Sequence, residues 1–144
     1  YRFGQQSGLK TATVYGGTPY AKQIERIKQA SIVVATPGRL QDLLMSGKIM
    51  INPQFVVLDE ADEMLDMGFL DEIKNIFTYL PKERQTLMFS ATMPGSIRKL
   101  AEQILKNPKT VSITKAESTN TSITQLYYVV QDKERDDALV RLID

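Results

Sequence analysis

The chain contains no cysteine and no histidine in 144 residues. Without cysteine there is no disulfide scaffold, no thiolate metal site and no thiol nucleophile. Without histidine there is no Ser-His-Asp triad, no imidazole-ligated zinc and no histidine general base. No apolar run approaches the roughly 20 residues that a membrane-spanning helix needs. No leader-like pattern opens the chain, so the cytoplasm is the expected compartment. A net charge of only +1 gives the chain no dominant sign. What remains is ordinary for a globular protein: 42% hydrophobic and 24% charged residues, which argues against a disordered or fibrous chain. The length suits one domain with a small piece of a second.

The charge is unevenly spread. Residues 1–50 hold seven Lys/Arg against Glu25 and Asp42, whereas residues 51–144 hold eleven against fifteen acids. A basic first third is compatible with a polyanion-facing surface and equally with ordinary solvated helix faces.

Short apolar runs alternate with helical stretches. Thr11–Tyr15 is a β-prone run closed by Gly16-Gly17. From Pro19 to Ala30, Ala21, Ile24 and Ile27 recur at helical spacing, with Lys22, Gln23, Arg26 and Lys28 assigned to the other faces. Ile32–Ala35, Phe55–Leu58 and Thr86–Phe89 are unbroken apolar or β-prone runs, the pattern of strands covered on both faces. Thr36-Pro37 reads as the cap and first residue of a helix through Met45. Further helices are expected over 60–66, 70–80 and from Pro94, where Ile97, Leu100, Ala101 and Ile104 form one stripe. Val111–Ile113 reads as another strand. The alternation implies an α/β fold, a three-layer parallel sheet flanked by helices. Thr114–Thr121 is polar with nothing to bury and reads as a linker. Ile123–Val130 (strand) and Lys133–Ile143 (helix) then read as the opening of a second domain.

Asp59-Glu60-Ala61-Asp62 stands where the Phe55–Leu58 strand becomes a helix. Open α/β sheets bind ligands at the carboxyl ends of their strands. A carboxylate there can hold a hydrated Mg²⁺ on nucleotide phosphates, and a second can orient or deprotonate the attacking water. The same residues can also serve only as a helix cap and a favourable charge at a helix N-terminus. Downstream, another strand ends in Ser90-Ala91-Thr92; upstream lie Gly16-Gly17 and Thr36-Pro37-Gly38-Arg39. Glycines let backbone N–H groups approach phosphates, a helix N-terminus attracts an anion, and an arginine forks onto a phosphate. Read locally, those segments are equally a turn, a capped helix start and a polar strand end.

These four motifs, in this order and at this spacing, resemble the DEAD-box RNA helicases, ATP-dependent RNA-remodelling enzymes built from two RecA-like domains. The resemblance implies ATP and Mg²⁺ as cofactors and RNA as partner. It implies that Asp59 coordinates Mg²⁺ through water, that Glu60 polarises the hydrolytic water, and that Asp62 ties the motif to Ser90 and Thr92. Ser90, Ala91 and Thr92 would couple the nucleotide state to strand separation. Gly16, Gly17, Thr36, Pro37, Gly38 and Arg39 would form an RNA face that binds sugar and phosphate, largely independent of sequence.

The departure is equally specific. A P-loop needs Gly-x-x-x-x-Gly-Lys-Ser/Thr, and the one Gly-Lys here, Gly47-Lys48, is followed by Ile49 with Asp42 where the first glycine belongs. The expectation is therefore an internal slice that opens on Tyr1, past the family's P-loop. Residues 1–115 would be a partial first RecA-like domain, 116–122 a linker, and 123–144 the start of a second such domain. Alone, that slice is expected to hydrolyse no ATP. Two other readings compete. A phosphoacceptor signalling domain would need an acidic pair closing its first strand, where Gly16-Gly17 stands. A non-catalytic RNA-binding or regulatory α/β module fits the missing P-loop.

Overall fold

The computed structural model describes residues 7–113, 124 and 126–143. They fall into two compact units that meet between Pro108 and Lys109. In the first, strand β1 (Thr11–Val14) leads through a tight turn to helix α1 (Tyr20–Gln29). Strand β2 (Ile32–Ala35) and helix α2 (Pro37–Met45) repeat the unit, followed by β3 (Phe55–Leu58), α3 (Ala61–Asp66), α4 (Leu70–Tyr79), β4 (Gln85–Met88) and α5 (Gly95–Ile104). Every strand is followed by a helix, the crossover that parallel pairing of neighbouring strands needs. β1 pairs with β2, Val14 opposite Ala35, and β3 pairs with β4, Leu58 opposite Met88. Among the described residues the strands form two parallel pairs, in keeping with the expected parallel α/β fold.

Each pair has a closed and an open face. Ala12, Val14 and Leu58 are buried, while their alternates Ile32, Val34, Phe55 and Val57 are exposed. Among the described residues, helices cover one face of each pair. The helices that follow the strands pack on the side of Ala12, Val14 and Leu58, and the opposite side chains point away from them. Two cores result. One gathers Ala12, Val14, Ile27, Leu43, Leu44, Ile49, Ile76 and Leu80; the other gathers Leu58, Ala61, Ile73, Ile97, Leu100 and Ile104. Helix α4 joins them, with Phe77 packed against both.

Helix α1 turns Ile24 and Ile27 toward the core as expected, but its inward face is shifted at its N-terminal end. Ala21 is exposed, whereas Gln23 is 1% exposed and stacks one turn before buried Ile27. Thr36 does occupy the cap position of α2 with Pro37 as its first residue, but its hydroxyl makes no capping hydrogen bond.

The second unit contains a turn of 3₁₀ helix (Asp132–Glu134) running into α6 (Arg135–Ile143). The expected strand at Val111–Ile113 is absent, and both its valine and isoleucine are exposed. The described residues of 123–130 form no strand either. A strand needs a partner for its ladder, and among the described residues none lies beside these segments. The expected linker, 116–122, lies outside the described residues.

Candidate functional site

The motif residues cluster at the carboxyl ends of the two strand pairs. Beyond β3 and β4 the ladder continues for one step: Phe89 N–H donates to the Leu58 carbonyl at 2.8 Å, and Ala61 N–H donates to the Phe89 carbonyl at 3.0 Å. Asp59 and Glu60 are squeezed out between these bonds, and both are exposed. Glu60 takes the left-handed conformation, φ 51° and ψ 48°, at the start of α3. Its N–H donates to Asp59 Oδ1 at 3.0 Å. Asp59 therefore does not cap α3; its carboxylate is held at the strand end by the next peptide.

Asp62 faces inward from the first turn of α3 and keeps 9% of its exposure. One oxygen, Oδ2, accepts both the Thr92 N–H and the Thr92 hydroxyl, each at 2.9 Å. The Thr92 hydroxyl is the main cause that holds this carboxyl down at about 2, with the Thr92 N–H and the nearby Ser90 hydroxyl assisting and desolvation opposing. Ser90 Oγ is buried without a partner in hydrogen-bond geometry. Ala91 is exposed beside it. Asp62 is thus an ionised strut between the two strand ends.

Asp59 and Glu60 suit a hydrated Mg²⁺. They offer hard carboxylate oxygens at an exposed strand end, with Asp59 already oriented by a peptide N–H. Among the described residues no group of three or more acidic side chains converges into a metal cage.

At the other pair, Thr36 N–H donates to the Val14 carbonyl at 2.9 Å, which sets the start of α2 beside the turn after β1. Gly17 turns with φ +78°, a conformation that disfavours any side chain. Gly16 and Gly38 have no such need: neither has positive φ, and a Cβ at either would meet nothing within 4 Å. Arg39 reaches back across the gap, its Nη1 donating to the Thr18 carbonyl at 2.7 Å and to Gln23 Oε1 at 3.4 Å. Gln23 Nε2 in turn donates to the Tyr15 carbonyl at 2.8 Å. Gly16-Gly17, Thr36-Pro37-Gly38 and Arg39 are thereby one surface, laced from below by a buried glutamine.

Gln23 was assigned to an outward face in the sequence and is the residue that local polarity misplaces. Its spacing of four from Ile27 was the available signal. Tyr20 was likewise not singled out; its hydroxyl donates to the Asp42 carboxylate, and Arg39 lies 4.4 Å from its ring centroid.

Comparison with known proteins agrees with this architecture. Residues 1–100 match the DEAD/DEAH box helicase family. The chain is 51% identical to the DEAD-box ATP-dependent RNA helicase RhpA of Helicobacter pylori, over all of this chain and 30% of that protein. It is 43% identical to the DEAD-box ATP-dependent RNA helicase CshA of Bacillus subtilis, again over all of this chain and 30% of the relative. The chain therefore spans about 30% of the length of these curated relatives. Among solved structures, a DEAD box protein from the hyperthermophile Methanococcus jannaschii superposes with a TM-score of 0.68 at 42% identity, covering 94% of this chain and 36% of that one. A hypothetical ATP-dependent RNA helicase from Sulfolobus tokodaii gives 0.67 at 45% identity, covering 74% and 32%. The α/β architecture is that of a RecA-like helicase domain. With both motif pairs inside the matched span, the chain belongs to the DEAD/DEAH box helicase family.

Proposed function

We propose that this chain is the part of a DEAD-box ATP-dependent RNA helicase that carries the metal-and-water half of the ATP site and one RNA-binding face. The observation that carries the reading is the double hydrogen bond from Thr92 to Asp62 Oδ2. It links the strand end bearing Asp59-Glu60 to the strand end bearing Ser90-Ala91-Thr92, so a change at the carboxylate motif would be felt at the hydroxyl motif.

Asp59 would hold Mg²⁺ through water, and Glu60 would orient the attacking water and accept its proton. Bound Mg²⁺ would supply charge neutralisation at the nucleotide phosphates. Asp62, Ser90, Ala91 and Thr92 would transmit the nucleotide state. Gly16, Gly17, Thr36, Pro37, Gly38 and Arg39 would contact the sugar-phosphate backbone of RNA. Three features support that face: the uncommitted Thr36 hydroxyl, the open space above Gly16 and Gly38, and the Arg39 anchor. Residues 1–115 would be part of the first RecA-like domain, 116–122 the linker and 123–144 the start of the second. The 144 residues contain no P-loop, so ATP turnover is assigned to the longer protein and not to this chain alone. A cytoplasmic location goes with this reading; no helix among the described residues is long and apolar enough to cross a membrane.

In a full-length protein containing this segment, Glu60→Gln is expected to abolish ATP turnover while ATP and RNA binding persist, since it removes the proton acceptor but keeps size and polarity. Asp59→Ala is expected to weaken Mg-nucleotide binding itself. Titration calorimetry with Mg-ATP separates the two; an identical binding defect in both variants overturns the role assignment.

A further inference from the structure

Beside the Arg39 anchor lies a second cation that no motif accounts for. Helix α2 stops at a Gly47 turn with φ +65°, and the chain then folds Lys48 back toward the start of α1. Its Nζ sits 4.5 Å from the centroid of the Tyr20 ring, the same ring that Arg39 approaches to 4.4 Å. Two like charges have been gathered on one tyrosine. Neither forms an ion pair with a carboxylate: the salt bridges among the described residues, Lys106–Glu83 and Arg135–Asp132, lie elsewhere. The Asp42 carboxylate accepts the Tyr20 hydroxyl. That bond, then burial and the Asp42 charge, hold the Tyr20 phenol above its ordinary range, partly offset by Arg39, and the ring offers its electron-rich face to the two cations.

Arg39 spends only Nη1 on the Thr18 carbonyl and Gln23, which leaves Nε and Nη2 uncommitted. Lys48 is exposed. Both cations attract an anion, and a Cβ at Gly16, Gly17 or Gly38 would meet nothing within 4 Å, so the surface beside Arg39 is open.

We infer that Lys48 and Arg39, both positioned by the Tyr20 ring, form a two-cation phosphate site that extends the RNA face to a residue outside its motifs. The inference rests on the RNA-face reading above and adds Lys48 and Tyr20 to it.

The test is binding of unrelated single-stranded RNA oligonucleotides to the full-length protein, followed by fluorescence anisotropy across a salt series. Lys48→Ala is expected to weaken every RNA roughly three- to tenfold at low salt and to flatten the slope of log K against log salt by about 0.7, the loss of one phosphate contact. Lys48→Arg should retain affinity. Tyr20→Leu, which keeps both charges, should reproduce much of the loss, whereas Tyr20→Phe, which keeps the ring, should lose less. Unchanged affinity and slope in Lys48→Ala, alongside a clear loss in Arg39→Ala, overturns the role of Lys48 and leaves the RNA face standing. No loss in either variant overturns the RNA face itself, and the site with it.

Discussion

Two residues at the motifs are not the ones that the fold alone would favour at their positions. Glu60 is left-handed, φ 51°, where a side chain costs about 1–2 kcal/mol. Gly38 lies inside α2 with no positive φ and nothing within 4 Å of a would-be Cβ, so alanine would fit there. Replacing Glu60 by glycine removes the strain but loosens the unfolded chain by about 0.4–1 kcal/mol. The expected net gain is about 0.5–1 kcal/mol. Gly38→Ala should gain about 0.5–1 kcal/mol by helix propensity and reduced unfolded-state freedom. Urea unfolding of both variants checks this. Each gain should come with a loss: ATP turnover in the longer protein for Glu60→Gly, RNA affinity for Gly38→Ala. Two neutral or destabilising results would show that the residues answer to the fold and not to a ligand.

At the scale of elements, the link between the β3–α3 and β4–α5 junctions is electrostatic and therefore pH-dependent. Asp62 is held at about 2 against an ordinary value of 3.8. A carboxyl lowered by folding contributes stability that is fully present above its unfolded value and is lost as pH falls through its folded one. The contribution of Asp62 should thus fade between about pH 4 and pH 2. Thermal unfolding across that window should fall more steeply for the unmodified chain than for Asp62→Asn, and Thr92→Val should shift the loss to higher pH by removing the main cause of the lowering. Identical acid profiles for the unmodified chain and Asp62→Asn would mean that the strut does not contribute to stability.

The elements themselves were legible because their signals are local. Ile97, Leu100 and Ile104 recur at helical spacing and are all buried, and Thr36-Pro37 marks the start of α2. The conjunction of Asp59–Asp62 with Ser90–Thr92 was legible only through the order of motifs, since strand pairing links residues thirty positions apart. Gln23 reads as outward because a polar side chain does so until its partners, the Tyr15 carbonyl and Arg39, are known. Val111–Ile113 and Ile123–Val130 have strand composition, but a strand depends on a neighbouring ladder that composition does not reveal.

For the molecule as a whole, the same non-local dependence shapes its solution behaviour. Among the described residues all four strands are edge strands, because each sheet has only two. Each pair carries one apolar face packed by helices and one that is open, with Val34 and Val57 58% exposed and Phe55 65%. Open ladders template further pairing, and contiguous exposed apolar surface favours association. The purified chain is expected to associate with rising concentration from the micromolar to the millimolar range in sedimentation velocity. Val34→Thr with Val57→Thr should shift the distribution toward monomer: both changes preserve side-chain shape and strand preference while adding a hydroxyl to the open face. Because both side chains point away from the cores, the double variant should keep its far-UV circular dichroism and its unfolding midpoint. A chain that stays monomeric throughout, or a double variant that associates as strongly as its parent, would show that the open faces do not drive association.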